Sequence, residues 1–381
     1  MSDRNENIQM LKNTTAYIHV RCLIDGTGTS AQKNVVLTVE NNKITQIQSF
    51  SAEIQPKITK HLSNQTICPM LSDAHVHLAM SGTLDGHERK KQLNMDFEQA
   101  KKVIFKNLAA YAKAGVSILR DAGDRYGHTW QFKQTEKLDI QILSPGKAWY
   151  REGRYGQFFG SGIHSTDNCV QKIQMQNNVD HIKIVQSGIN SIHEFGKQTR
   201  PQFSQDEMNA ICRWAKKNNL PVMVHANGSQ PVEIAINAGC NSIEHGYFMG
   251  TENLKRMADQ QIYWIPTLVP MHVLFSHLSI PGEKDIAWRT FDSQCEQVRI
   301  AQELDVPIVV GSDAGSFGVY HGKGLFDEMR LLIDCGLTPA QVIAGCSGLS
   351  RQLFNCTDCG LLIRGEIFSY QIIPKSLLIP S

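Results

Sequence analysis

The chemistry in this chain starts at Asp73-Ala74-His75-Val76-His77, which follows the apolar run at residues 66–71. Alternate side chains of a strand share one face, so His75 and His77 point the same way, about 7 Å apart. Two neutral imidazoles at the C-terminal end of a strand can converge on one metal ion. A lone His-x-His, however, is more often two polar residues on a wet loop. Three further residues shift that balance. His225 ends Leu220-Pro221-Val222-Met223-Val224, and His245 ends Ser242-Ile243-Glu244. Asp313 follows Val306-Pro307-Ile308-Val309-Val310-Gly311-Ser312. Each stands where an apolar strand gives way to a glycine-containing loop. Lys183, within His181-Ile182-Lys183-Ile184-Val185, completes the set. A lysine among branched apolar residues is costly unless its charge is paired or removed. One reading pairs it with Asp121 or Asp313. The other makes it a neutral amine that has captured carbon dioxide as a carbamate, an anionic group able to bridge two metals. Beside the histidines and Asp313, the carbamate is the favoured reading.

Such residues need a scaffold that brings strand ends together. Residues up to about 65 alternate apolar and polar side chains, with breaks at Asp25-Gly26-Thr27-Gly28 and Glu40-Asn41-Asn42, and predict a small β unit. Beyond it, candidate strands at 66–72, 115–119, 139–143, 180–185, 220–224, 242–244, 261–266 and 306–311 alternate with helices. Ser204-Gln205-Asp206-Glu207 and Thr338-Pro339-Ala340-Gln341 are capping boxes opening two of these helices. The alternation predicts an α/β fold, a (β/α)8 TIM barrel over 66–355. Residues 1–65 and 356–381 are expected to form a β-sandwich appendage built from both chain ends. All parallel strand ends of a barrel surround one rim, where the six candidate residues would meet.

Composition narrows the partners. The 381 residues carry 38 basic and 36 acidic side chains, a net charge of +2. That balance gives no electrostatic reason to expect nucleic acid or an anionic membrane. The N-terminal MSDRNENIQMLKN is polar, unlike a secretory signal, and no apolar run reaches the length of a bilayer span. The ten cysteines therefore read mostly as free thiols of a reducing compartment, and a cytoplasmic location is expected. Cys356-Thr357-Asp358-Cys359 has no second such pair and reads as structural or incidental; the other cysteines show no paired spacing. A small-molecule substrate is the expected partner, and a homo-oligomer is compatible with the chain.

The ordered motifs resemble the amidohydrolase superfamily, in the branch of imidazolonepropionase-like proteins and Xaa-Pro or Xaa-Arg dipeptidases. The likeness runs from about residue 17 to residue 367. It includes Leu23-Ile24-Asp25-Gly26-Thr27-Gly28, Asp73-Ala74-His75-Val76-His77-Leu78 and Gly115-Val116-Ser117-Ile118-Leu119-Arg120-Asp121. It continues through Ile182-Lys183-Ile184, Val224-His225-Ala226-Asn227-Gly228, Ser242-Ile243-Glu244-His245-Gly246 and Gly311-Ser312-Asp313-Ala314-Gly315. The resemblance implies two divalent metals, zinc being expected. His75, His77, Lys183 and Asp313 would hold one; carbamylated Lys183 (N6-carboxylysine), His225 and His245 would hold the other. Met70 stands where the family usually has glycine, Ser312 replaces a usual threonine, and the C-terminal strands lack their expected Ala-Asp pair.

The function this implies is hydrolysis of an amide-type C–N bond, in a dipeptide or N-acyl amino acid, by a metal-bridging hydroxide. Asp313 and His245 are the expected catalytic residues, with Asp313 carrying the proton. A single-metal deaminase or cyclic-amide hydrolase of the same fold is the alternative. Deaminases of this type resemble one another in a glutamate three residues after the fifth-strand histidine, where this chain has Gly228. A non-catalytic binding relative is disfavoured by the full set of six candidate ligands. Tyr150, Arg154, Tyr155, His164 and His321 are candidate substrate contacts, because arginine and tyrosine can hold a carboxylate. Arg120 and Asp121 read as an ion pair supporting the rim, and Glu328 as the polar face of a helix. Met271, His272, His277 and Trp288, in a long insertion at 267–305, are read as packing that insertion, with lining of a lid over the site as the alternative.

Overall fold

The computed structural model describes residues 15–374. The polar N-terminal run lies outside the described residues. The chain divides into two compact units, one joining the residues up to Leu71 to those from Thr338 onward, the other spanning Ser72–Leu337.

In the first unit, β1 (Thr15–Leu23), β2 (Gln32–Glu40), β3 (Lys43–Ser49) and β4 (Lys60–Pro69) share one sheet with a short strand, Tyr370–Ile373. Asn41 and Asn42 take φ of 50° and 63°, the left-handed turn that closes a two-residue hairpin between β2 and β3. Ile18, Val20, Leu37, Val39, Ile44 and Ile67 pack its core together with Leu362 and Phe368. The tail strand runs antiparallel to β4, so the chain's later residues do return to this sheet. The described residues form one five-stranded sheet here, where the sequence suggested a sandwich. The reason is the tail: of the strand-like stretch from Gly360, only four residues enter the ladder. The two short helices Pro339–Gly345 and Gly348–Leu353 belong to this unit, the first opened by the expected Thr338 capping box.

The second unit is built on parallel strands. β5 (Leu71–Val76), β6 (Val116–Asp121) and β7 (Gln141–Leu143) make a three-stranded sheet. A second sheet has β8 (Ala148–Arg151), β9 (Gly160–Ile163), β10 (Ile182–Val185), β11 (Val222–Ala226), β12 (Ser242–His245) and β13 (Tyr263–Ile265), in the order β13-β12-β11-β10-β8-β9. Every registered pair in that second sheet is parallel. The expected α/β alternation is therefore present, with three departures. Residues 66–69 belong to β4 in the first unit, and only Leu71–Val76 joins the parallel strands. The third expected strand, 139–143, is present as β7 and pairs with β6, but after Pro145-Gly146, where Gly146 takes φ of 70°, an additional strand, β8, pairs with β10. Residues 306–311 form no continuous strand but make single parallel bridges, Ile308 with Trp264 and, just beyond, Ala314 with Val76.

Helices cover these strands for readable reasons. The Ser204 hydroxyl accepts from the backbone N–H of Glu207 and the Glu207 side chain returns to Ser204, opening Gln205–Lys217. That helix buries Met208, Ile211, Cys212 and Ala215, one apolar stripe. The 267–305 insertion is a helical pair, Leu268–His277 and Pro281–Glu303. Cys295 and Cys335 are paired as a disulfide with Cα atoms 5.1 Å apart, one exception to the expectation of mostly free thiols. Forty residues separate them, so no local spacing signals the pair. Cys356 and Cys359 are free.

Close approach at the strand ends depends on Gly311. A Cβ there would lie 2.8 Å from the His75 backbone nitrogen and 2.7 Å from Ile265 Cγ2. Gly311→Ala is expected to lose about 1–3 kcal/mol of stability through this overpacking. Chemical denaturation measures it; a variant as stable as the parent would show that these segments have room to separate.

Candidate metal centre

Strand register places the candidate residues. Lys183 stands opposite Met223 between β10 and β11, and His225 opposite both Val185 and Glu244. His75 lies on β5, His77 directly after it, and His245 ends β12. The His245 and Asp313 backbones are left-handed, with φ of 68° and 55°. Each stands where the chain turns into a loop, His245 at the end of β12 and Asp313 beyond the isolated Ile308 bridge. All six candidates line one cavity of about 640 Å3. Ligand atoms of His75, His245 and Asp313 lie within 4.8 Å of one another. Asp313 Oδ1 is 3.5 Å from His77 Nε2 and 3.7 Å from His75 Nε2. The His225 ring centre is 4.5 Å from that of His245.

Hydrogen bonds at the outer edges of the rings fix which nitrogen is bare. His77 Nδ1–H donates to the Gly123 carbonyl at 3.0 Å, leaving Nε2 as a lone pair facing Asp313. The Thr267 hydroxyl donates to the Pro266 carbonyl, so it accepts from His245 Nδ1–H at 2.6 Å. His75 Nδ1 meets Glu244 Oε2 at 2.6 Å, which turns Nε2 toward Asp313. His225 Nε2–H donates to the Gly188 carbonyl at 3.3 Å, leaving Nδ1 bare. A carboxylate, carbonyl or hydroxyl behind each imidazole is the arrangement that orients metal-binding histidines.

Electrostatics suit the same occupant. Burial, then the nearby Lys183, holds His75 far below its usual range and takes His225 down to about 3. Burial brings His77 to about 4. The rings are thus neutral donors near pH 7. Burial raises Asp313 to about 7. Lys183 is 1% exposed, its Nζ has no hydrogen-bond partner among the described residues, and burial brings it down to about 8. Neutral imidazoles, a carboxylate and an orphaned amine fit divalent cations far better than they fit an empty apolar mouth.

The substrate contacts expected from sequence fare differently. Tyr155 lines the cavity and its ring lies 5.4 Å from that of His225. Tyr150, Arg154, His164 and His321 are not among the lining residues. Arg154 donates to the Arg200 carbonyl, and exposed His164 pairs with Glu152. His321 is buried against Tyr111 and bonds the Met80 carbonyl. Arg120 does not pair with Asp121, because neighbours along a strand point to opposite faces. It pairs instead with Glu244 at 2.7 Å, while Asp121 accepts from the backbone N–H groups of Leu78 and Gly123. Glu328 is fully buried rather than on a polar face, and accepts from the N–H groups of Leu268 and Val269 at 2.9 Å each. Of the insertion, Met271 lines the cavity, whereas His272 and Trp288 pack against Phe291. Sequence reasoning passed over Glu244 and Thr267. A carboxylate inside the apolar strand Ser242-Ile243-Glu244-His245 was the available signal for the first; Thr267 offered none.

The α/β scaffold thus gathers four neutral histidines, a lysine and an aspartate in one cavity, a donor set that suits divalent cations. Residues 66–369 match the amidohydrolase family, and the chain belongs to it, which assigns it to hydrolases acting on C–N bonds. It is 25% identical over 300 residues to an uncharacterised protein of Mycobacterium tuberculosis, covering 75% of this chain and 74% of that one. It is 26% identical over 238 residues to the ochratoxinase of Aspergillus niger, covering 60% of this chain and 47% of the relative. In fold it resembles a Xaa-Pro dipeptidase crystallised with methionine in its active site, with a TM-score of 0.76, 22% identity and 94% of each chain covered. Among the described residues, no helix is long and apolar enough to cross a membrane.

Two outcomes follow. Glu244→Gln removes the charge facing buried Arg120 and is expected to cost about 3–5 kcal/mol, read by denaturant unfolding. In metal-free protein, the His77 ring should titrate near pH 4 by NMR. The unfolded chain protonates this ring below about 6.5, whereas the folded chain does so only near 4. His77 therefore withdraws stability as pH falls through that window. A midpoint near 6.5 would mean an open, solvated cluster.

Proposed function

We propose that this protein is a binuclear metal-dependent amidohydrolase that cleaves the amide-type C–N bond of a dipeptide or N-acyl amino acid. The observation carrying the proposal is the orphaned, fully buried Nζ of Lys183 in a cavity with four neutral histidines and Asp313. In this reading His75, His77, Lys183 and Asp313 hold one cation, and Lys183, His225 and His245 the other. An ammonium would repel both. A neutral Lys183 amine instead forms an N–C bond with carbon dioxide and loses a proton, giving a carbamate whose single negative charge is shared by two oxygens. Burial, which brings the lysine down to about 8, keeps part of it neutral near pH 7. The parallel sheets and the bridges Ile308–Trp264 and Ala314–Val76 support a closed (β/α)8 barrel as the scaffold.

When bound, the cations supply polarisation of the scissile carbonyl and a water acidic enough to attack near neutral pH. The remaining work falls to the chain. Asp313, at the floor of the cavity, takes the water's proton at its carboxylate and passes it to the departing amine nitrogen. Glu244 and Thr267 hold His75 and His245 in the orientations that face the substrate. Tyr155 and Phe159 wall the cavity beside His225 and His77 and limit the water that can enter.

The test is a panel of dipeptides and N-acyl amino acids, assayed for release of a free amine alongside metal analysis. Cleavage and more than one equivalent of zinc or a similar ion are expected. Lys183→Ala should lose the second ion and most turnover, with partial recovery on adding a short carboxylic acid. Ammonia release from aminated heterocycles without amide cleavage would establish the deaminase alternative. An unmodified Lys183 amine in active, metal-replete enzyme would reduce the centre to a single ion.

A further inference from the structure

Beyond the histidine cluster, the cavity contains two features with no role in the chemistry above. Its mouth is apolar and open to water. Phe158, Ile189 and Phe317 all line it, yet they are 47%, 59% and 38% exposed. Large apolar side chains clustered in water at a concave site mark a place where an apolar ligand group settles. The second feature is a cation nearer the cluster. Arg89 lines the same cavity from the helix Gly86–Gln92, whose first turn is held by Asp85 accepting from the N–H groups of His87 and Glu88.

Arg89 is half-buried, and its Nη1 donates to the Gly315 carbonyl at 3.0 Å, two residues beyond Asp313. Among the described residues no carboxylate makes an ion pair with this guanidinium. Asp313 pulls on it electrostatically, which puts it on the reactive side of the cavity. A guanidinium has five N–H donors in a fork that matches a carboxylate. The single bond to Gly315 fixes its position and leaves most of that fork for a ligand. The other arginine of the lining, Arg125, is exposed and stacked on the exposed ring of Tyr126, with 5.5 Å to its centroid. Water and salt screen it, whereas half-buried Arg89 is screened less. Asp124, the other carboxylate of the lining, is occupied by the backbone N–H groups of Tyr126, His128 and Thr129.

We propose that the cavity selects amides carrying a free carboxylate, held by Arg89, and a bulky apolar acyl group, resting on Phe158, Ile189 and Phe317. This deepens the amidohydrolase reading and rests on it: Arg89 determines which amides are taken, and the apolar mouth determines their size. Tyr150, Arg154 and His164 play no part in it.

The experiment uses the full-length, metal-replete protein with N-benzoylglycine, its C-terminal amide and N-acetylglycine. The acid is expected to exceed its amide in kcat/KM by about 30-fold or more, and N-acetylglycine by about 10-fold. R89M should abolish the preference for acid over amide, R89K should keep part of it, and R125M should leave it intact. Binding of the non-hydrolysable N-benzenesulfonylglycine and of its amide is measured calorimetrically on the same variants. This separates the subsite from the reaction. Arg89-dependent preference for the sulfonamide acid without any amide cleavage would uphold the subsite and remove the proposed reaction. Cleavage with an undiminished acid preference in R89M, or loss of that preference in R125M, would overturn the subsite alone. If R89M does not fold, an R89K preference equal to the parent's in both assays overturns it. Absence of both cleavage and Arg89-dependent binding overturns both.

Discussion

The centre of the second unit depends on one buried carboxylate. Glu244, on β12, faces Arg120 from β6 and His75 from β5, and accepts from the Ser242 hydroxyl on its own strand. Arg120 extends the link by donating to the Ala74 carbonyl and to Ser242. An isolated charge in that interior would be prohibitively desolvated, so the three strands must hold their spacing for the pair to exist. The position of the His75 ring follows from that spacing. Asp73 performs the matching task two residues before His75 on β5, accepting from the backbone and hydroxyl of Ser312 and from Tyr111. Asp313 is thereby held beside an anchored Ser312, and its own backbone N–H donates to the His75 carbonyl at 2.8 Å.

These supports let the cavity remain polar at its floor and apolar at its mouth. Burial suppresses protonation of the imidazoles, and Lys183 among them adds to the suppression. The same burial raises Asp313, so the cluster carries little net charge without cations. Opposed shifts of this kind on a base and an acid separate the roles of otherwise similar polar groups. Glu328 contributes from behind: it holds the first N–H groups of the helix after Thr267, whose own φ of 48° is a strained conformation for a branched residue.

The sequence was most legible where chemistry and periodicity coincide. His75, His77, His225, His245 and Asp313 stand at the ends of apolar runs and Lys183 inside one, and all six reach one cavity. The capping boxes at Ser204 and Thr338 were equally plain, because the signal is local. Legibility failed where long-range pairing decides. Nothing in residues 139–151 says that Pro145-Gly146 divides two strands that pair with different partners. The split puts Tyr150 on a strand instead of in a substrate loop. Composition made Arg154 and His164 attractive, but exposed side chains found partners outside the cavity, in Arg200 and Glu152. Arg89 drew no notice because a lysine- and arginine-rich helix usually faces solvent.

The left-handed backbones of His245 and Asp313 have a consequence for how this centre could diversify. Outside glycine, that conformation is populated chiefly by asparagine, aspartate and histidine, the residues with short polar side chains. Two donors of the cluster are therefore confined to a narrow alphabet by their main chain, whatever ion is bound. His75 and Lys183, on extended strands, are under no such restriction. Drift toward another donor type, in evolution or in the laboratory, has its widest latitude on β5 and β10. It is most tightly held where the chain turns out of β12 and into the loop after residue 311.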